Sequence, residues 1–246
     1  MNRIRTALPI AAVAALLTLT GCTPADGAGG EDAKGAGEGT SASGAPGGAL
    51  ATLAGLPVKK RGSQDGYARD RFGSAWADTD SNGCGTRDDI LQRDLEHTTH
   101  RGKTCAVTSG TLTHDPYTGG TIRYRRGSSK VDIDHVVALS DAWQKGAARW
   151  APRKRIALAN DPLNLIAVEA SANRSKSDGD AAAWLPENQG YRCTYVARQV
   201  AVKQKYGLWV TRDEKAAMSK VLNGCPSEKL PTGGNPTEAP GRFKAK

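Results

Sequence analysis

The sequence predicts an α+β domain, small, disulfide-bonded and flanked by helices, set between a low-complexity leader and a polar tail. Three observations predict it. Runs rich in β-branched residues and bounded by turn residues, at 105–113, 121–124, 131–137 and 163–168, read as strands. Segments with apolar residues at helical spacing, from Thr86 onward and above all from Tyr191 to Tyr206, read as helices. Four cysteines, Cys84, Cys105, Cys193 and Cys225, fall inside this stretch, an even number that suits two disulfides in an exported chain.

The N-terminus carries Arg3 and Arg5, an apolar run from Ala7 to Leu19 too short for an ordinary membrane anchor, and then Leu19-Thr20-Gly21-Cys22. This resembles the lipobox of bacterial lipoproteins. The resemblance implies removal of residues 1–21 and lipid attachment to the Cys22 thiol, which would hold the chain at the outer face of the cell membrane. A plain secretory signal with an incidental cysteine is the alternative. Residues 22–55 are mostly Gly, Ala, Ser, Thr and acidic residues and read as a flexible tether, because they cannot bury a core. Residues 226–246, rich in Pro, Gly and charge, read as a disordered tail. One domain, 56–225, remains, an ordinary size for a single core.

Within it, Tyr67 to Trp76 supplies aromatic packing residues. Asp78-Thr79-Asp80-Ser81-Asn82-Gly83, with Asp89 at the twelfth position, is a partial calcium-loop pattern that Asx-rich turns produce equally without metal. Thr86 can cap a helix with Asp89 as its box partner, and Ile90, Leu91 and Leu95 form the apolar side. His97 and His100 fall in its polar, solvated end. The strands at 105–113 and 121–124 form a hairpin across Asp115-Pro116-Tyr117-Thr118-Gly119-Gly120. Arg123, Arg125, Arg126 and Lys130 then lead into Val131-Asp132-Ile133-Asp134-His135-Val136-Val137. These basic residues, with Tyr124 among them, suit either a track for a nucleic-acid backbone or a solvated hairpin face. A helix from Ser140 to Trp150 ends at Pro152, and a short one from Arg153 to Ala159 directs Arg155 toward the Asn160 loop. After the strand at 163–168, a helix can start near Ser171. Thr211 and Glu214 form a capping box opening the last helix, which stops at Gly224. Of the three disulfide connectivities, Cys84–Cys105 and Cys193–Cys225 are favoured, since each pair flanks one local unit; zinc is the alternative, but the spacings fit no common zinc site.

The order of Asp134-His135 at a strand end, Asn164 before the next strand and the run Asn173-Arg174-Ser175-Lys176-Ser177-Asp178 resembles the HNH (ββα-metal) endonucleases. Cys84-Gly85-Thr86-Arg87, Asp115-Pro116-Tyr117-Thr118-Gly119, Ala142-Trp143 and Trp184-Leu185-Pro186 extend the likeness, over about Tyr67 to Cys225, to exported bacterial proteins related to the C-terminal HNH domain of GmrSD-type restriction endonucleases. The resemblance implies an HNH motif embedded in the domain, with His135 as general base and one divalent metal, Mg2+ or Mn2+, between Asp134 and Asn173. It further implies that Asn164 fixes the loop or the imidazole, and that Lys176 and Arg87 help hold the phosphate; a surface salt bridge is the other reading of Arg87. Arg123, Arg125 and Arg155 are the expected substrate-binding residues. Two departures stand out: position 173 is Asn where many such enzymes have His, and no CxxC pairs are present.

The formal charge of +9 suits anionic lipid, wall polymer or nucleic acid, and selects none by itself. With the motif it favours nucleic acid, DNA first. An exported module that binds nucleic acid or wall polymer without cleaving it is the competing class, and a calcium-stabilised structural lipoprotein is the third.

Overall fold

Two antiparallel sheets, of three and two strands, frame the computed structural model, which describes residues 47–127 and 130–245. The signal peptide, Cys22 and most of the expected tether lie outside the described residues. β1 (Glu96–His100), β2 (Val107–Leu112) and β3 (Ile122–Arg125) form a meander in that order. β4 (Val131–His135) pairs with β5 (Leu165–Glu169), setting Asp134 opposite Ile166 and His135 opposite Leu165. With seven α-helices among the described residues, the fold is α+β. None of those helices is long and apolar enough to cross a membrane.

The β4–β5 ribbon is buried on both faces. Val131, Ile133, Leu165 and Ala167 pack with Ile90 and Leu91 of α2 (Thr86–Asp94) and with Leu112 and Tyr124 of the larger sheet. Ile166 and Val168 pack on the other side against Tyr195, Val196 and Val200 of α6 (Arg192–Tyr206). Each fully buried Val, Leu or Ile contributes about 1.5–3 kcal/mol relative to exposure, so the ribbon is held far more firmly than its few ladder bonds would hold it. The Asp115 turn braces it as well. The Asp115 carboxylate accepts the Thr118 N–H and hydroxyl, both at 2.7 Å, and reaches across to the Glu169 N–H at 2.8 Å. α5 (Ala170–Lys176) follows β5 without a loop, capped by the Glu169 side chain, which accepts the Ala172 N–H at 2.7 Å.

Several elements differ from the sequence reading. β1 replaces the expected polar helix end, because Glu96-His97-Thr98-Thr99-His100 is an edge strand polar on both faces, with a register that shifts twice. Thr86 does not cap α2; its hydroxyl donates to the Ala77 carbonyl at 2.6 Å and Gly85 takes the cap position. The helix expected from Ser140 to Trp150 is α3 (Leu139–Gln144) alone, because Gly146 adopts φ 138°, a conformation that only glycine takes without strain. Pro152 starts α4 (Pro152–Ala159), where its missing N–H costs nothing.

The domain also extends beyond 56–225. The end of the expected tether forms α1 (Ala49–Gly55), whose Ala49 and Leu53 are buried against α6 and α7 (Arg212–Asn223). The expected disordered tail is packed: Arg153 and Ala239 exchange hydrogen bonds at 2.7 and 3.1 Å, and Leu230 and Phe243 lie on the core. A few apolar residues spaced through a polar segment anchor it, which average composition conceals.

Cys84–Cys105 and Cys193–Cys225 are both bonded, in the favoured pairing. The Thr211–Glu214 capping box is present. Glu214 also joins a buried ion network, in which Lys145 meets Asp141, Asp180 and Glu214 at 2.6–2.7 Å and Lys203 meets Asp141 and Glu214. Burial disfavours the Lys203 ammonium, but the two carboxylates outweigh it and raise its pKa.

Candidate active site

Successive side chains of a strand point to opposite faces, so at the end of β4 Asp134 turns toward α5 and His135 toward α4. Both still border one open cleft of about 390 Å³, together with Asn173, Asp178, Ser140, Tyr67 and Arg69. Three of the sequence-predicted site residues, Asp134, His135 and Asn173, are thereby brought together.

The His135 Nε2 lies 2.9 Å from the Ala159 carbonyl. A carbonyl only accepts, so Nε2 carries the proton and Nδ1 keeps its lone pair. Burial pushes the imidazole pKa down from 6.5 to about 3, partly opposed by the Ala159 bond and reinforced by the charges of Arg69 and Lys176. His135 is therefore neutral at physiological pH. Its ring lies parallel to Trp76, 15° between planes and 6.3 Å between centroids, and the Arg87 guanidinium sits over Trp76 at 5.6 Å. Arg87 thus stands one ring removed from His135 and does not border the cleft.

Asp134 is buried and held on both oxygens. The Tyr117 hydroxyl donates to Oδ2 at 2.5 Å, and the Lys176 ammonium lies 3.1 Å from Oδ1 and 3.0 Å from Oδ2. Lys176 also donates to the His135 carbonyl at 2.9 Å. Burial raises the Asp134 pKa, and Lys176 and Tyr117 oppose it without cancelling it. The expectation that Lys176 grips phosphate needs correction: its side chain is 0% exposed, committed to Asp134 and the end of β4. Asn164 is likewise interior. Its side chain accepts the Val137 N–H at 2.8 Å and donates to the Val137 and Leu158 carbonyls, tying the segment after His135 to the loop before β5.

Arg155 is corrected as well. It is 6% exposed, donates to the carbonyls of Arg71 and Trp150 and lies over Trp143, so it cannot meet substrate. Arg123 and Arg125 are exposed on β3 and line a separate shallow groove with His97.

Among the described residues, no three His, Cys, Asp or Glu side chains cluster as metal ligands. What the cleft offers a cation is an Asp134 oxygen and the Asn173 carbonyl oxygen, the Asn173 amide nitrogen being directed to Asp132 at 3.3 Å. Two oxygen donors suit a hard cation that keeps most of its waters, magnesium or manganese, and suit zinc poorly. The Asp78–Asp89 loop closes on itself: Asn82 receives from neither solvent nor metal but donates to Asp78, Asp80 and Asp89 at 3.1–3.3 Å, an Asx-rich turn.

Sequence reasoning missed Tyr117, Trp76, Arg69 and Asp178. Tyr117 lay within a turn read only as a turn. Tyr67, Arg69, Phe72 and Trp76 gave a detectable signal, a basic residue inside a dense aromatic run.

A strand, a second strand and a helix that set an Asp-His pair and an Asn around one open cleft are features of an endonuclease-type domain. Residues 85–221 match the family described as GmrSD restriction endonucleases, C-terminal domain, and the chain belongs to that family. A protein of the fungus Arthroderma benhamiae, described as an uncharacterized secreted protein, is 44% identical over 179 residues, 72% of this chain and 84% of its own length. No solved structure matches the chain.

Proposed function

We propose that the protein is a metal-dependent endonuclease that hydrolyses phosphodiester bonds of nucleic acid, DNA first, after export and lipid anchoring through Cys22. The observation that carries the reading is the neutral His135, with its Nε2 proton committed to Ala159 and its Nδ1 lone pair available at the border of the cleft shared with Asp134 and Asn173. The secreted fungal relative supports export.

Hydrolysis needs a water deprotonated in line with the leaving oxygen and positive charge where the phosphate becomes more negative. His135 Nδ1 takes the proton from the attacking water as its oxygen bonds to phosphorus; the P–O bond to the leaving oxygen breaks, and that oxygen is protonated from solvent. Mg2+ or Mn2+, held by Asp134 and Asn173, would supply charge stabilisation at the phosphate. Lys176 and Tyr117 keep the Asp134 carboxylate in place. Asn164 and the Ala159 carbonyl fix the imidazole and the segment behind it. Arg69, exposed at the cleft border, contacts the phosphate, while Arg87 acts only through Trp76. Arg123 and Arg125 extend the basic path along β3.

The test is nicking of supercoiled plasmid by the purified protein across a magnesium and manganese titration, with DNA binding measured separately in chelator. His135→Ala should lose about a hundred- to ten-thousand-fold in rate while still binding DNA. Near-wild-type nicking by that variant would sink the mechanism; loss of binding along with it would favour a binding module.

A further inference from the structure

A second cavity, of about 230 Å³, shares His135, Arg69 and Leu139 with the cleft and is walled by Phe72, Trp76 and Asn160. It holds about eight waters at ~30 Å³ each, below the size of sites for drug-sized molecules and enough for one flat ring system. Its wall has one unmet polar group. Asn160 is 1% exposed and its Oδ1 makes no hydrogen bond among the described residues, whereas its amide nitrogen is fixed by the Ile156 carbonyl at 3.0 Å. That fixed nitrogen settles the amide orientation, so what remains on offer is an acceptor. Buried acceptors without partners are rare in proteins, and a ligand that donates a hydrogen bond accounts for this one. Trp76 and His135 present parallel rings at the same place, and Arg69 borders both spaces.

We propose that this cavity receives an unstacked nucleobase adjoining the scissile phosphate, with Trp76 against its face, Asn160 accepting from its exocyclic amino group and Arg69 contacting the linking phosphate. The proposal rests on the endonuclease reading and specifies its substrate: a strand with a base that can leave the stack, bearing an amino group as cytosine and adenine do. Base–aromatic stacking of this kind is worth about 1–3 kcal/mol, roughly five- to 150-fold in affinity.

The test uses binding in chelator, where hydrolysis is stopped. Fluorescein-labelled single-stranded hexamers of deoxycytidylate, of thymidylate and of the same backbone without bases are titrated by anisotropy. The wild-type protein is expected to bind the cytosine hexamer at least about five-fold more tightly than the abasic one. Ala75→Leu and Ser74→Leu, which fill the cavity from exposed wall positions, should erase that preference. Equal wild-type affinity for the two, or a preference that survives both fillings, overturns the subsite. Cytosine should also be preferred over thymine, and Asn160→Ala should remove the difference; no difference in the wild type takes Asn160 out of the site. Bis(p-nitrophenyl) phosphate, a phosphodiester without a base, separates this failure from failure of the endonuclease reading. If only the subsite is wrong, metal-loaded protein cleaves that ester while the hexamer preference is absent. If the endonuclease reading is wrong, neither ester nor plasmid is cleaved, whatever the hexamers show.

Discussion

Replacing Lys176 by Met separates a buried counter-ion from a phosphate-binding lysine. Met matches the unbranched stem of Lys, so the packing around it changes little while the ammonium disappears. The lysine side chain is 0% exposed and Asp134 only 7%, and Tyr117 is then the one side chain still donating to the carboxylate among the described residues. Breaking a buried pair by removing one partner costs about 3–5 kcal/mol, against a total stability of about 5–15 kcal/mol for a domain. For a domain of this size that is a fall in melting temperature of roughly 6–20 °C. Asp134 already has its pKa raised by burial, and Lys176 is the largest opposing influence, so removing it raises the pKa further. The sign follows: a carboxyl whose folded pKa exceeds its unfolded one favours the folded state when protonated, so the deficit of Lys176→Met shrinks as the pH falls. Adding Asp134→Asn removes the stranded charge and should restore much of the loss, with a coupling energy above about 1 kcal/mol in a double-mutant cycle read by urea unfolding. An unfolding free energy within about 1 kcal/mol of wild type, together with weakened DNA binding in chelator, would refute the counter-ion assignment and return Lys176 to the phosphate.

Three further outcomes are expected. The unfolded imidazole of His135 takes a proton below about pH 6.5 and the folded one only near pH 3; its contribution to stability is therefore lost as the pH falls through that window, by at most about 1.4 kcal/mol per pH unit. Wild-type and His135→Ala unfolding curves, subtracted, should slope there, and a flat difference would contradict the buried neutral ring. Arg155→Ala should lower thermal stability and leave the salt dependence of DNA binding unchanged, whereas Arg123→Ala and Arg125→Ala should each reduce the slope of log affinity against log salt by about one. Truncation after Cys225 should lower the melting temperature and raise binding of a hydrophobic dye, since it uncovers the surface that Leu230, Ala239 and Phe243 occupy; an unchanged melting curve would show that the packed tail contributes nothing.

The parts of the fold legible in the sequence are those in which one local pattern meets no tertiary competitor. The capping box at Thr211, the β4 and β5 strands and the two disulfides are of this kind. Where a second partner competes, local rules fail. The Thr86 hydroxyl fits a cap but is taken by the Ala77 carbonyl, and the helix through Trp150 would need Gly146 to be helical when the turn requires φ 138°. β1 has no apolar alternation because neither face is buried; only its pairing with β2 makes it a strand. The tail and α1 were hidden by composition, since Leu53, Ala239 and Phe243 are too sparse to register as a core segment yet lie where the core has room for them.

The site was legible as a set of residues and not as a set of roles, and strand geometry explains the gap. Adjacent Asp134 and His135 must point to opposite faces of β4, so each needs its own support from a different part of the chain. Asp134 receives Tyr117 from the Asp115 turn and Lys176 from α5, while His135 receives the Ala159 carbonyl from the end of α4 and Trp76 from the aromatic run. A motif records the pair but not the two surroundings. That is why the cations assigned to phosphate from sequence, Lys176 and Arg155, turn out to be interior, the one neutralising Asp134 and the other holding backbone carbonyls. A lysine committed inward leaves the phosphate to an exposed cation, and Arg69 is the one that borders both the Asp134–His135 cleft and the cavity beside it. Arg69→Ala should therefore weaken binding of DNA in chelator and slow nicking without the large loss of stability expected of Lys176→Met. Unchanged affinity in that variant would mean that the phosphate is held from elsewhere, with Arg123 and Arg125 on β3 the next residues to replace.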